Sequence, residues 1–225
     1  MPDLAVTSWS LHRTLGPIYP ALAVHPGERA AEMPCGPGHL CLLDASAYVA
    51  ALGLSAFEVC HVHFPCTDPA YLARLRQSCA VAGVRFATLL IDAGDVAAGD
   101  VAARKRDIVA VITGNGLALA ARPAHLLALL DGVGRPLGLC ADLGNYGGPT
   151  READLRAILP RAVTVHAKAV WSEPGVVDAA ALQQCLDWVR EAGFTGTYVL
   201  IFDAVGDERA SVLHLADVVC PYLAA

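Results

Sequence analysis

The chain has 225 residues, of which 55% are hydrophobic, 17% charged and 6% aromatic, and a formal net charge of −6. That length supports one sizeable core, and its 20 Gly and 14 Pro are scattered without forming a low-complexity tract, which excludes a disordered or collagen-like chain. The acidic balance, with no basic run longer than Arg104, Lys105 and Arg106, argues against a nucleic-acid partner, because phosphate recognition needs a basic stripe.

Short apolar strands alternate with amphipathic helices along the chain. In order, strands are expected at Leu4 to Ser10, Leu54 to His61, Val84 to Ile91, Ile108 to Thr113, Leu137 to Asp142, Ala162 to Lys168 and Thr197 to Asp203. Residues 13–43, rich in Gly and Pro, read as a long loop after the first strand, either a lid or a surface loop. The stretch TDPAYLARLRQSCAVAG predicts a helix with Asp68 as N-cap, Pro69 at its first position and Gly83 as its stop. In DAAALQQCLDWVREAG, Leu182, Cys185, Leu186 and Val189 form one apolar face, and Gly193 ends the helix.

This alternation predicts one α/β domain over residues 1–225 with a parallel sheet, closed as a barrel or doubly wound. GxGxxG and GxxxxGK[ST] are absent, which favours a TIM-barrel-like sheet. With seven strand candidates where eight are usual, it should be incomplete or shortened. The apolar stretches VRFATLLI and HLLALL span about a third of a membrane, so no membrane partner is expected. MPDLAVTSWSLHRTLG lacks the pattern of a secretion signal. Cysteines such as Cys140 and Cys185 sit in apolar runs as small hydrophobes, and a reduced cytoplasmic compartment is expected.

Five strand ends in succession carry polar side chains: Glu58, His61 and His63; Asp92 and Asp95; Asp142 and Asn145; His166 and Lys168; and Asp203. Apolar strands do not otherwise tolerate such groups, and a parallel barrel gathers them at its C-terminal end. In VTVHAKA, Thr164, His166 and Lys168 share one face by the period of two. Asp142 and His166 on adjacent strands offer O and N ligands to Mn²⁺, Mg²⁺ or Zn²⁺, or else form a buried ion pair. CHVHFPC matches no common zinc spacing, and His61 and His63 face away from Glu58 and Cys60 if the strand continues through them. Trp9 is either an apolar wall for a polyol or ordinary packing.

The strings TSWSLHRTLG, FEVCHVHFP, LLIDAGD, LGLCADLGNYGG, VTVHAKA and YVLIFDAVGDE, in that order, resemble the xylose isomerase-like barrel superfamily, in particular its sugar phosphate isomerase/epimerase group. The resemblance implies a divalent metal held by Glu, Asp, His and an acid from strands five to eight. Asp142 and His166 match the middle two, and Asp203, or else Glu208, the last. Gly114 stands in the Glu place beside Asn115, which implies weak metal binding, and a unit around strand four, near Arg104 to Asp107, is missing.

The implied activity is isomerisation or epimerisation of a small sugar or polyol through an enediol. Glu58 and Asp203 would be the catalytic carboxylates, and His61, His63, Asn145, Lys168 and Trp9 would bind substrate. A degenerate barrel that binds a ligand or partner without turnover is the alternative. Endonuclease-type phosphodiester cleavage is disfavoured by the acidic charge. A homo-oligomer is open, since a second copy could cover a gap in the sheet.

Overall fold

Parallel pairing follows from the β/α alternation, because each strand must return across the sheet through a helix before the next can pair. The computed structural model describes residues 3–20, 29–90, 112–113, 123–132, 138–169, 171–173 and 176–223. Its strands in chain order are β1 (Asp3–Thr7), β2 (Ala56–Cys60), β3 (Arg85–Leu90), β4 (Ile112–Thr113), β5 (Leu139–Asp142), β6 (Ala162–Lys168), β7 (Trp171–Glu173), β8 (Val176–Val177) and β9 (Thr197–Ile201). The fold class is the α/β, TIM-barrel-like and incomplete one that the sequence predicts. Asp92, Asp95, Arg104 to Asp107, Gly114 and Asn115 lie outside the described residues.

The chain forms two compact units, one from residues 1–3, 93–199 and 215–225, the other from residues 4–92 and 200–214. In the second unit β2 lies between β1 and β3, with both pairings parallel. Every residue of β2 is buried, as a central parallel strand covered on both faces requires. The helices around it contribute the buried side chains of Ala45 and Val49, from helix Leu42–Ala51, and of Leu75 and Cys79, from helix Pro69–Ala82. The second helix starts and stops as predicted, with Pro69 after N-cap Asp68 and Gly83 closing it at φ 67°. Asp68 supplies no side-chain capping bond.

Three expected elements differ. The first strand stops at Thr7 and the second at Cys60, and each continues into a 3₁₀ turn, Ser8–Leu11 and His61–His63. His61 and His63 therefore leave the strand's alternation, and both are buried. The described part of residues 13–43 is more than a plain loop. It continues the short helix His12–Leu15, pairs Ile18 with Met33 in an antiparallel bridge, and enters helix Leu42–Ala51.

In the first unit the order is β9, β6, β5, β4, with β4 to β6 parallel, beside an antiparallel β7–β8 pair. Its core holds Leu155 and Ile158 of helix Arg151–Ile158, and Leu182, Cys185, Leu186 and Val189 of helix Ala179–Glu191, the face predicted from spacing. Asp178 caps the latter by accepting from the Ala181 N–H at 3.0 Å. Among the described residues no helix is long and apolar enough to cross a membrane.

Candidate functional site

The polar residues of the first unit gather where β5 and β6 end. Between Leu139↔Ala162 and Cys140↔Thr164 the register slips by one, so that Asp142 lies opposite His166. Without the slip its partner would be Val165, and the carboxylate would face no imidazole. The Asp142 Oδ2 to His166 Nδ1 distance is 3.5 Å, with the side chains 7% and 3% exposed. Asp142 Oδ1 accepts from the Gly144 N–H at 3.1 Å, and the Leu143 N–H donates to the His166 carbonyl at 3.1 Å. These bonds hold the turn that carries Asn145 back over β6, where Lys168 Nζ donates to Asn145 Oδ1 at 3.2 Å.

Tyr146, on the same turn, is buried, and burial pushes its phenol up to about 12, with Asp154 and Asp142 adding to the rise. It stays a neutral O–H beside the carboxylate. Gly144 makes room for Lys168, since a Cβ there would meet the lysine Cγ at 2.5 Å. Gly144→Ala should therefore displace Lys168 and break its bond to Asn145, at a cost of about 1–3 kcal/mol. A thermal melt together with loss of ligand binding checks this.

The other predicted residues belong to the second unit. Glu58 is buried on β2 opposite Thr7, and its Oε2 accepts from Thr88 Oγ1 at 2.6 Å. A register slip between β2 and β3 accompanies that contact. His61 Nδ1 lies 3.9 Å from Cys60 Sγ. His63 Nδ1 lies 2.9 Å from Ser8 Oγ, which also accepts from the Cys60 N–H at 2.7 Å. Burial, reinforced by His12 and His61, holds the His63 imidazole down at about 3. Trp9 is half-buried, with its ring 5.6 Å from that of His12. Asp203 is exposed just beyond β9.

Glu208, an alternative to Asp203, is committed elsewhere. Its Oε1 accepts from the Arg13 N–H at 2.9 Å, and its Oε2 from the Thr14 N–H at 2.9 Å and Thr14 Oγ1 at 2.7 Å. With Arg13 Nε at 3.4 Å and a side chain 4% exposed, it is a buried clamp. Ser8 and Ser10 are also structural: Ser10 Oγ donates to the Leu200 carbonyl at 3.0 Å and accepts from the Phe202 N–H at 2.8 Å. Small polar residues in SWS directly after a strand were the available signal for this stitching.

The Asp142 and His166 donors suit Mn²⁺, Mg²⁺ or Zn²⁺ in kind, one carboxylate oxygen and one imidazole nitrogen on facing positions of paired strands. In number they are two. Among the described residues no group of three His, Cys, Asp or Glu gathers as a metal site.

No protein-family model matches the sequence, and no curated protein matches it significantly. Solved structures match over nearly the whole chain. The structure of an L-ribulose 3-epimerase is 15% identical, with a TM-score of 0.59, covering 100% of this chain and 95% of the other. D-psicose 3-epimerase from Clostridium cellulolyticum H10, solved with D-tagatose, is 9% identical with a TM-score of 0.61 over 98% and 99% of the two chains. A xylose isomerase domain-containing protein from Salmonella typhimurium LT2 is 10% identical, with a TM-score of 0.55 over 99% and 97%. The fold is that of the xylose isomerase-like TIM barrels, and it resembles that of sugar 3-epimerases.

Proposed function

We propose that this protein is an isomerase or epimerase of a small sugar or polyol, working by proton transfer at a carbon beside a carbonyl. The observation that carries the reading is the buried Asp142 and His166 pair flanked by the Lys168–Asn145 hydrogen bond. The sugar 3-epimerases of the same fold support the substrate class. Such a reaction needs oxygens held in place, a proton removed from carbon, and a proton returned.

Lys168 supplies a cationic donor and Asn145 an amide, a combination that binds and orients vicinal hydroxyls or a carbonyl oxygen. Asp142 keeps the His166 imidazole oriented in a dry site, where each polar contact with substrate counts for more than in water. Asp142 and His166 would hold a divalent cation, which would supply polarisation of the carbonyl and neighbouring hydroxyl. We assign proton transfer to the carboxylates of Glu58 and Asp203, with Trp9, His61 and His63 as further substrate contacts.

The test is exchange. Incubated in D₂O with Mn²⁺ and a panel of keto and aldo sugars, the full chain should place deuterium at the carbon next to the carbonyl of one of them, read by NMR. Glu58→Gln should slow that exchange by about 10²- to 10⁴-fold. Asp142→Ala should abolish it. No exchange on any sugar, or equal exchange in Asp142→Ala, would overturn the reading.

The presence of only two metal donors among the described residues favours a second reading, a sugar-binding barrel without turnover. Its signature is binding that weakens in Lys168→Ala, with no exchange under any metal.

A further inference from the structure

The second unit contains a cavity of about 460 Å³ beside residues 15–19 and 29–43, walled in part by the first turns of helix Pro69–Ala82. Its polar lining includes His63, Tyr71, Tyr19, Arg29, Arg74 and Glu32. Two of these hold a buried polar atom with no hydrogen-bond partner among the described residues, His63 Nε2 and Tyr71 Oη. Buried polar atoms are almost always paired, so two orphans on one cavity point to a missing partner.

The two orphans differ in what they offer. Ser8 Oγ accepts from the Cys60 N–H and lies 2.9 Å from His63 Nδ1, and the His63 ring is also hydrogen-bonded to the Cys60 backbone. Nε2, the edge turned away from Ser8, is the ring atom without a partner among the described residues. His63 itself is 3% exposed. Burial raises the Tyr71 phenol above its ordinary range, so it keeps its proton and is a donor. Around them stand two guanidiniums, Arg29 and Arg74, against one carboxylate, Glu32, which is engaged with the Tyr19 phenol. An O–H donor within a net positive lining suits an acceptor that is itself negative. Such a lining repels a cation, and a neutral polyol would leave the arginines unused.

We propose that this cavity binds a small organic anion, whose carboxylate or phosphate oxygens accept from Tyr71 Oη and whose charge is met by Arg29 and Arg74. The site shares His63 with the substrate contacts assigned above and none of Asp142, His166, Lys168 and Asn145; its test reads anion binding and not exchange, so either reading can fail without the other.

Calorimetric titration of the full chain with inorganic phosphate and with malonate, at constant ionic strength, tests it, with sorbitol as the neutral control. One of the two anions should saturate a single site, the tighter one identifying a phosphorylated or a carboxylated ligand, while sorbitol should bind far more weakly. Arg74→Gln and Tyr71→Phe should each weaken anion binding by about tenfold, in the range expected for losing one hydrogen bond to a charged group. Tyr71→Phe should do so without lowering the melting temperature of the ligand-free protein, because its hydroxyl has no bond to lose. Failure of both anions to bind, affinities unchanged in both variants, or sorbitol binding as tightly as the anions would overturn the proposal.

Discussion

Replacing Glu208 by Ala should lower the melting temperature by roughly 10 °C, at about 2–4 °C per kcal/mol for a chain of this size. The carboxylate is nearly fully buried, and its two oxygens serve the backbone N–H groups of Arg13 and Thr14, the Thr14 hydroxyl and the Arg13 guanidinium. Truncation leaves those donors without their acceptor, and breaking a buried charged pair on one side costs about 3–5 kcal/mol. Glu208→Gln keeps an acceptor oxygen and should fall between wild type and Ala. A circular-dichroism melt decides the matter, since a fall below about 2 °C would mean that water replaces the carboxylate at no loss. Because the acid is spent on holding the segment after β1, its substitution should change stability before any chemical step.

Acid should destabilise the protein through His63. Burial, with His12 and His61 adding, holds its folded pKa at about 3, below the ordinary value of 6.5. Above the unfolded pKa both states bind no proton at this site, and nothing is lost. As pH falls below it, the unfolded chain takes up a proton that the folded chain refuses. Stability then declines by about 1.4 kcal/mol per pH unit until the folded pKa is reached. Urea titrations at several pH values from about 7.5 down to about 4 should show this decline in wild type. The difference between wild type and His63→Gln isolates it from the titration of the carboxylates. Parallel curves for the two proteins would show that His63 is protonated in the fold without cost.

Much of the architecture was legible from local patterns, because helix faces, caps and strand alternation are determined by neighbours in the chain. β6 has the predicted bounds, Ala162–Lys168, and the helix after Asp68 ends at Gly83, where a positive φ suits glycine. Asp142, His166, Lys168 and Asn145 were nameable because polar groups at the ends of apolar strands are conspicuous. Asp142 and His166 were nameable even as a pair on adjacent strands, but the register that sets them opposite each other was not, since it depends on a one-residue slip between β5 and β6 that no strand records in its own sequence. The parity argument for His61 and His63 failed because a 3₁₀ turn replaces the end of the strand, and Ser8 reaches the N–H of Cys60, just before that turn, from 52 residues away. Glu208 was readable only as an acid near a strand end; its partner Arg13 is 195 residues distant. Periodicity carries information over a few turns of chain, whereas hydrogen bonds between distant segments form only once the backbone has brought them together, so the tertiary structure alone decided which acid is a clamp and which histidine is held neutral.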